Sequence, residues 1–407
     1  MYQKTYKKYG NSSRGRGGSG GRGGFNSRRR GGGSRRFSGS GRSIDVSRYI
    51  NKTPEEITEQ KHIAINKITD LAVNEKLIKN ILSRGFTELT PIQDKTIPLI
   101  IDGKDIIGIA NTGTGKTAAF LIPLINKVYS NINEKVLIMA PTRELAEQIN
   151  TEFRNFSQGM NLYSTLCIGG TSMYSQRKDL NRVHNFLICT PGRIKDLATR
   201  KWVNLIQYNN VVIDEVDRMF DIGFQKDIKI ILGMLPKTRQ TLFFSATVSN
   251  DIEGLINSFL NNPEKISINQ QVSTNNIMQD IIRTGSSKEK MEKLHDMLIK
   301  PEFLKVIIFI KTKWNLKEIE IELKDRGFKV TSIHGNKTQS ARQKSLSTFK
   351  TNKTTILLAT DVAARGLDID NVSHVINYDQ PATYEDYIHR IGRTGRGNKK
   401  GVALTFV

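Results

Sequence analysis

The sequence predicts an α/β protein with two tandem domains, each a parallel β-sheet flanked by helices, behind a disordered N-terminal tail rich in arginine and glycine. Three observations lead to this prediction. The chain of 407 residues is longer than one ordinary hydrophobic core can organise. From about Ile68 onward, short β-branched runs alternate with stretches of helical periodicity. The alternation stops at a polar stretch and then begins again, which indicates a second domain of the same kind.

Residues 1–43 are predicted to be the disordered tail. They contain twelve Lys and Arg residues and no Asp or Glu, so they carry more than half of the net charge of +23. A segment with so little apolar surface cannot offset the entropy lost on ordering. Phe25 and Phe37 lie among the arginines, a pattern that favours loose contact with single-stranded RNA. The alternative is a tail that only adds solubility.

Residues 44–66 are expected to be a linker or an N-terminal flank, and residues 67–267 the first domain. Apolar runs predict strands in this domain at 106–109, 136–139, 186–189, 211–213 and 241–244. Such runs, separated by helical stretches, are typical of a parallel sheet that is covered on both faces.

Residues 268–277 are expected to be the interdomain linker, and residues 278–407 the second domain. The same kind of run predicts strands at 306–309, 330–333, 355–358 and 375–378. The second domain repeats the architecture of the first but has no phosphate-binding loop of its own, so it cannot hold a nucleotide alone.

The cellular compartment is predicted from cysteine use and from the absence of a sorting signal. Cys167 and Cys189 each lie in an apolar run, which indicates buried thiols in a reducing environment. No stretch approaches the roughly 20 apolar residues that span a bilayer, and the N-terminus has no apolar signal core. We therefore expect a cytoplasmic protein without a membrane segment.

A glycine-rich loop follows the first predicted strand. It reads Ala110-Asn111-Thr112-Gly113-Thr114-Gly115-Lys116-Thr117. Glycines let backbone N–H groups turn toward phosphate oxygens, and the next helix adds its positive N-terminal dipole. Lys116 is expected to reach the terminal phosphates of ATP and to act in catalysis, and the Thr117 hydroxyl to ligate Mg²⁺. The alternative is a tight turn followed by a surface lysine.

Adjacent carboxylates follow the fourth predicted strand. Asp214 is expected to hold Mg²⁺, usually through water, and Glu215 to orient or deprotonate the attacking water. Taken alone, an acidic cluster after a strand is often only a helix N-cap. Its place on the same predicted sheet as the phosphate loop favours the catalytic interpretation.

Residues 389–396 place Arg390, Arg393 and Arg396 at every third position beside two glycines. A planar guanidinium group can neutralise a phosphoryl oxygen through two hydrogen bonds. Together with the phosphate loop, this element predicts a nucleotide held between two domains, with hydrolysis dependent on their closure. A solvated basic turn is the alternative for the arginines in isolation.

These motifs, in this order, resemble a DEAD-box ATP-dependent RNA helicase of superfamily 2, whose fold is two tandem RecA-like domains. The resemblance runs from about residue 68 to residue 407, and Val216 gives an Asp-Glu-Val-Asp variant of the naming motif. Beyond the elements above, the matching segments are 85–93, 141–145, 169–170, 190–193, 245–247, Gln339 with Arg342, and 359–368.

The resemblance implies roles for individual residues. Phe86, Gln93 and Asp368 belong to the nucleotide site, where Gln93 reads the adenine edge and Asp368 contacts the ribose. Arg393 and Arg396 are arginine fingers. Four residues couple the domains, namely Asp217, Ser245, Thr247 and His389. The implied RNA contacts are Pro141, Thr142, Arg143, Gly170, Thr190, Gly192, Arg193, Gln339, Arg342 and Thr360.

The expected activity is RNA-stimulated ATP hydrolysis with Mg²⁺, coupled to local unwinding of short RNA duplexes or to ribonucleoprotein remodelling by a monomer. RNA is expected to be held by its backbone, with little sequence preference. Ile68 aligns with the aromatic residue that stacks on adenine in the family, so weaker stacking is expected. Two alternatives are an ATP-gated RNA clamp with slow turnover and a DNA helicase or translocase.

Overall fold

The protein is described by a computed structural model that covers residues 45–51, 64, 66–111, 113–268, 276–364, 369, 371–395 and 400–407. The predicted tail and most of the predicted flank lie outside the described residues.

The first domain is built on a parallel sheet. Within the described residues its seven strands are β1 (Ile106–Ile109), β2 (Val136–Met139), β3 (Ser164–Cys167), β4 (Phe186–Cys189), β5 (Asn210–Asp214), β6 (Gln240–Ser245) and β7 (Glu264–Ser267). Their spatial order is β3-β4-β2-β5-β6-β1-β7, and all pairs are parallel.

Nine α-helices of the described chain surround this sheet. They are α1 (Glu75–Ser83), α2 (Pro91–Ile101), α3 (Lys116–Ser130), α4 (Arg143–Phe156), α5 (Met173–Leu180), α6 (Pro191–Thr199), α7 (Val216–Asp221), α8 (Gln225–Gly233) and α9 (Asn250–Phe259). Short 3-10 helices lie at Val46–Tyr49, Ile68–Asp70 and Leu205–Gln207.

Alternate strand residues divide between two hydrophobic cores. Ile106 and Ile138 belong to the core on one face of the sheet, whereas Ile107 and Met139 belong to the core on the other. This alternation follows from the two-residue period of a strand. Burial of each such side chain contributes about 1.5–3 kcal/mol, so helices on both faces are needed to exclude water.

The second domain repeats this arrangement. Its strands in the described chain are β8 (Ile277–Ile282), β9 (Val306–Phe309), β10 (Val330–Ile333), β11 (Ile356–Ala359), β12 (His374–Asn377) and β13 (Gly401–Phe406), in the parallel order β10-β11-β9-β12-β13-β8. Its helices are α10 (Ser287–Leu298), α11 (Lys313–Asp325), α12 (Gln339–Lys350), α13 (Asp361–Ala364) and α14 (Tyr384–Ile391).

The predicted fold class is confirmed, with differences in detail. All nine predicted strands occur within a residue or two of their expected positions, whereas β3, β7, β8 and β13 were not predicted. Ile277, which was expected to end the linker, is instead the first residue of β8, and it is buried. Its apolar side chain packs against α14 in a small core, which explains why the strand begins there.

The N-terminal segment Asp45–Asn51 packs on the second domain, although it precedes the first domain in sequence. Asn51 and Gln279 exchange two backbone hydrogen bonds, of 2.8 and 2.9 Å, as an antiparallel bridge to β8. Tyr49 is fully buried, with its ring centroid 4.7 Å from that of Tyr387 on α14. The segment therefore covers part of β8, an edge strand of the second sheet.

No helix among the described residues combines the length and apolar character needed to cross a membrane.

Candidate active site

The carboxyl edge of the first sheet divides into two halves. Strands β5, β6 and β1 are neighbours; β5 ends at the acidic pair, β6 ends at Ser245, and the phosphate loop follows β1. Strands β3, β4 and β2 are also neighbours, and they lead into the first-domain residues predicted to contact RNA. Ligands of open parallel sheets bind at the carboxyl ends of the strands. The topology thus places the predicted ATP and RNA residues side by side.

The phosphate loop turns through two glycines in the left-handed region, Gly113 at φ 85° and Gly115 at φ 90°. Only glycine adopts these angles without strain. Gly115 is the N-cap of α3, and Lys116 is its first residue. The buried Lys116 Nζ donates to Ala110 O at 2.8 Å, and Thr114 Oγ1 donates to Asn111 O at 2.8 Å. Thr117 follows on α3, and Thr112 lies outside the described residues.

Gln93 joins the start of α2 to the phosphate loop. Its Oε1 accepts from Thr90 N at 3.0 Å, which completes a capping box, and its Nε2 donates to Gly115 O at 3.0 Å. Phe86 packs edge-on against Phe156, with ring centroids 5.6 Å apart. Ile68 is only 2% exposed, within the first-domain core. Adenine recognition by Gln93 stays a prediction.

The pKa values of the two carboxylates at the end of β5 shift in opposite directions. Burial raises the pKa of Asp214 to about 7, although the charge of Lys116 opposes this shift. Burial would also raise the pKa of Glu215, but the positive charges of Arg218 and Lys116 outweigh burial and lower it. Arg218 Nη1 donates to Glu215 Oε2 at 2.5 Å. Glu215 has a left-handed backbone at φ 53°, which is uncommon for a non-glycine residue.

Three of the predicted coupling residues form one hydrogen-bonded network. Asp217 Oδ2 accepts from Thr247 N at 3.0 Å and from Thr247 Oγ1 at 3.3 Å. Ser245 Oγ accepts from Asp217 N at 3.2 Å and donates to Thr247 O at 2.7 Å. The network ties the loop after β6 to the start of α7, next to the acidic pair.

The positive charge of Arg393, in the second domain, influences a carboxylate of the first domain. It is buried, and its positive charge is among the influences that lower the pKa of Glu215. Its Nε donates to His389 O at 3.2 Å, and both residues line a small cavity beside α13. Arg396 and Asp368 lie outside the described residues, so their assigned roles stay predictions.

The first-domain residues predicted to contact RNA cluster around Arg143. Gly170 is at φ 77°, and a Cβ there would collide with the Arg143 guanidinium group. Arg193 Nη1 donates to Gln176 Oε1 at 2.6 Å, and its Nη2 donates to Thr171 O at 3.1 Å. Pro141 precedes Thr142, the N-cap of α4, whereas Thr190 is the N-cap of α6 and Gly192 lies in its first turn.

Positive charge converges at this place from both domains. Burial lowers the pKa of Arg143, and the charges of Arg342 and Arg193 lower it further. Glu144 and Glu147 oppose this shift, but the pKa of Arg143 is still lowered, so an added anion such as a phosphate would be favoured there.

The second-domain residues predicted to contact RNA reach across to α4. Arg342 Nε and Glu144 Oε1 form a buried ion pair at 2.5 Å. Gln339 Nε2 donates to Glu147 Oε1 at 3.0 Å. Thr360 lies between the end of β11 and the start of α13, at the carboxyl edge of the second sheet.

Sequence reasoning missed several residues of this site. Arg390 is only 2% exposed and binds both carboxylate oxygens of Asp361, at 2.6 and 2.8 Å, which fixes α14 to α13. Glu144 and Glu147 supply the cross-domain partners described above. The i, i+3 spacing from Glu215 could have indicated Arg218, whereas contacts between domains leave no such signal in the sequence.

Comparison with known proteins agrees with this geometry. The DEAD/DEAH box helicase profile matches residues 90–255, and the helicase conserved C-terminal domain profile matches residues 289–398. The ATP-dependent RNA helicase CshA of Listeria monocytogenes is 42% identical over 84% of this chain and 66% of its own length. The DEAD-box helicase RhpA of Helicobacter pylori is 40% identical over 83% and 69%. The chain thus spans about two thirds of the length of these relatives.

Solved structures with ligands are also similar. Mss116p bound to single-stranded RNA and AMP-PNP has a TM-score of 0.77 at 29% identity, covering 88% of this chain and 77% of that one. Saccharomyces cerevisiae Dbp5 bound to RNA and ADP BeF3 has a TM-score of 0.74 at 29% identity, covering 84% and 89%. On its fold, its motifs and these similarities, the chain belongs to the DEAD-box family of ATP-dependent RNA helicases.

Proposed function

We propose that this chain hydrolyses ATP when RNA is bound and uses the cycle to open short RNA duplexes or to remodel ribonucleoproteins. The main observation behind the proposal is that the second domain contributes one arginine near each half of the carboxyl edge of the first sheet, the ATP half and the RNA half. Arg393 acts on Glu215 in the ATP half. In the RNA half, the charge of Arg342 lowers the pKa of Arg143, and Arg342 forms an ion pair with Glu144. Closure of the domains then makes the binding of ATP and the binding of RNA strengthen each other.

The Asp214-Glu215-Val216-Asp217 segment serves in this proposal as the acidic motif of the family. Asp214 is nearly fully buried at the end of β5, and Thr117 is the second residue of α3, directly after Lys116. Carboxylate and hydroxyl oxygens are hard ligands of the kind that Mg²⁺ takes together with substrate phosphates and water. Asp214 and Thr117 would therefore hold Mg²⁺, which when bound neutralises charge on the phosphates.

The residues of the chain divide the catalytic work. Lys116 neutralises the terminal phosphates, and Glu215, kept ionised by Arg218, orients the attacking water. Arg393 and Arg396 neutralise charge that develops on the transferred group. Arginine fingers in related phosphoryl-transfer sites contribute on the order of 10³–10⁵ in rate.

Unwinding follows from closure in this proposal. Closure bends the bound RNA strand where it passes Arg143, Arg193 and Arg342. A bent RNA strand cannot remain in an A-form duplex. By analogy with DNA, each base-pair step that is broken costs about 1.4 kcal/mol, so one ATP suffices for a few steps. We further propose a cytoplasmic monomer in which the first domain spans 67–267, the second domain begins with β8 at Ile277 and continues to 407, and RNA is contacted mainly through its backbone.

The proposal predicts that Lys116→Ala and Arg393→Ala each abolish RNA-stimulated ATP turnover. In steady-state ATPase assays with and without RNA, Arg393→Ala should lose about 10³-fold or more in kcat. Lys104→Ala and Lys353→Ala are matched controls, since both lysines are exposed on turns at the opposite edges of the sheets. Turnover at the wild-type level in either site variant would contradict the role assigned to that residue.

Two further measurements separate the alternatives. An ATP-gated clamp would hold RNA for many minutes after ATP addition, whereas a helicase releases it at about the rate of turnover. A DNA helicase or translocase would be stimulated as well by DNA as by RNA of the same sequence.

A further inference from the structure

Four side chains form a patch on the first domain, which we call the aromatic–arginine patch: Tyr174, Arg177, Arg200 and Trp202. The guanidinium carbon of Arg177 lies 4.8 Å from the centroid of the Trp202 ring, and that of Arg200 lies 5.7 Å away. The Tyr174 ring is 5.7 Å from the same ring. The Trp202 ring is therefore in contact with both guanidinium groups and with the Tyr174 ring.

The patch is open to solvent and positively charged. Tyr174 is 76% exposed, and both arginines are exposed. Within the described part of the chain, neither guanidinium group has a carboxylate within 4.0 Å, and the nearby Asp179 is paired with Arg182 at 3.2 Å. A guanidinium group that lies over a ring keeps its N–H edge available for a phosphate.

A strained turn places Trp202 in the patch. Lys201 has a left-handed backbone at φ 57°, just after α6. Lys201 N donates to Ala198 O, and Trp202 N donates to Leu197 O, both at 2.9 Å. These bonds form a Schellman motif, in which the left-handed position is usually glycine. The chain accepts a lysine there and thereby turns Trp202 back toward α5.

The patch is physically joined to the predicted RNA path. Helix α5, which carries Tyr174 and Arg177, also carries Gln176, whose amide oxygen accepts from Arg193 at 2.6 Å. Helix α5 begins three residues after Gly170 and follows β3, the outermost strand of the sheet. Helix α5 therefore connects the patch to Arg193, one of the residues predicted to contact RNA.

We propose that the aromatic–arginine patch is an additional binding site for single-stranded RNA. It rests on the RNA-dependent function proposed above and extends its binding surface. Tyr174 stacks on one base, and Arg177 and Arg200 contact the flanking phosphates, while Trp202 positions both arginines. Stacking of this kind tolerates any base, since every base has a π-face. A purely structural patch would stabilise the domain through its cation–π contacts without affecting RNA affinity.

The test is the affinity of the full chain for oligouridylates of increasing length, measured by fluorescence anisotropy with a non-hydrolysable ATP analogue. Tyr174→Ala should lower affinity for long strands about 5- to 150-fold, the effect of removing one stacked base. Affinity for the shortest bound strands should not change, because they do not reach the patch. Replacing Arg177 and Arg200 by Gln should reduce the salt slope by about 0.7 for each phosphate that the variant no longer neutralises.

Two variants serve as controls. Tyr174→Phe should keep wild-type affinity, because the stacking ring remains. Tyr163→Ala removes another exposed tyrosine, which directly precedes β3 and is not one of the four patch residues, and should have no effect.

The outcomes distinguish this site from the proposed function. If Tyr174→Ala binds long strands as tightly as wild type, or weakens binding equally at every length, the patch is not an RNA site although the proposed function stands. Unchanged RNA binding would point to a protein partner for the patch. If the wild-type chain binds no oligouridylate, both proposals fail.

Discussion

His374 is held in the second sheet in a form that resists protonation. Its ring stacks on Phe303 with centroids 3.9 Å apart, and its Nδ1 lies 3.0 Å from Ser373 Oγ. Burial lowers the pKa of His374 to about 4, while the charge of Glu302 opposes this shift. The folded protein therefore disfavours the protonated imidazole relative to the unfolded chain.

This burial predicts a loss of stability in acid. Because the folded-state pKa lies below the ordinary value, the unfolded chain binds the proton more readily, and stability falls as pH drops from about 6.5 toward 4. Between pH 7 and pH 5 the contribution of His374 should fall by roughly 2 kcal/mol. Urea unfolding of the wild type and of His374→Gln at both pH values measures it. Equal pH dependence in both proteins would contradict the prediction.

At the scale of single residues, the sequence could predict the backbone turn around the phosphate loop, because local geometry determines it, while the roles of the site residues stay predictions. Gly113, Gly115 and Lys116 follow from the demands of a strand–loop–helix turn. The buried ion pair of Glu144 with Arg342 does not, because it depends on how two separately folded domains meet. Arg390 was seen only as part of a basic run, since its partner Asp361 precedes it by 29 residues.

At the level of elements, continuous apolar runs were predicted well because both faces of those strands are buried. Strands β3 and β7 lie at the two edges of the first sheet, where water reaches one side. Their sequences, Ser-Thr-Leu-Cys and Glu-Lys-Ile-Ser, are accordingly mixed, and they lack the apolar run that marks an inner strand.

The pairing of β1 with β6 contains a position that only glycine fits. Gly108 lies directly opposite Phe244, and a Cβ there would lie 2.6 Å from two carbons of the Phe244 ring. Phe244 is fully buried and cannot move aside. We expect Gly108→Ala to lower the free energy of unfolding by about 1–3 kcal/mol, the usual effect of overpacking.

Chemical denaturation of the full chain measures this effect. Gly254→Ala is the matched control, because Gly254 is on helix α9 with no atom within 4 Å of its Cβ position. That change should raise stability by about 0.5–1 kcal/mol, through helix propensity. A neutral Gly108→Ala would mean that β1 and β6 can separate at low cost.

For the whole molecule, the contact of α12 with α4 connects the two domains directly. The Glu144–Arg342 pair is buried, so removal of one partner leaves an uncompensated charge. In a double-mutant cycle, Glu144→Gln and Arg342→Gln should each reduce the fraction of molecules in which the two helices touch. The double variant should fall short of additivity by about 1–3 kcal/mol.

Energy transfer between dyes on the two domains measures that fraction. Cysteines introduced at the exposed Lys237 and Lys300 can be labelled selectively, because burial raises the pKa of both native thiols. Lys344→Gln, an exposed change on α12, should leave the transfer efficiency unchanged. Strictly additive effects would show that the pair does not form in solution.

The burial of Tyr49 against Tyr387 has a consequence for how the protein is made. During translation, the segment Asp45–Asn51 leaves the ribosome before any of the first domain, yet its docking surface on β8 and α14 emerges only after the whole first domain. The first domain can fold as soon as it is complete, since domains fold as units from the N-terminus. The second domain cannot finish its core until the nascent chain has closed this long loop, so that docking completes folding.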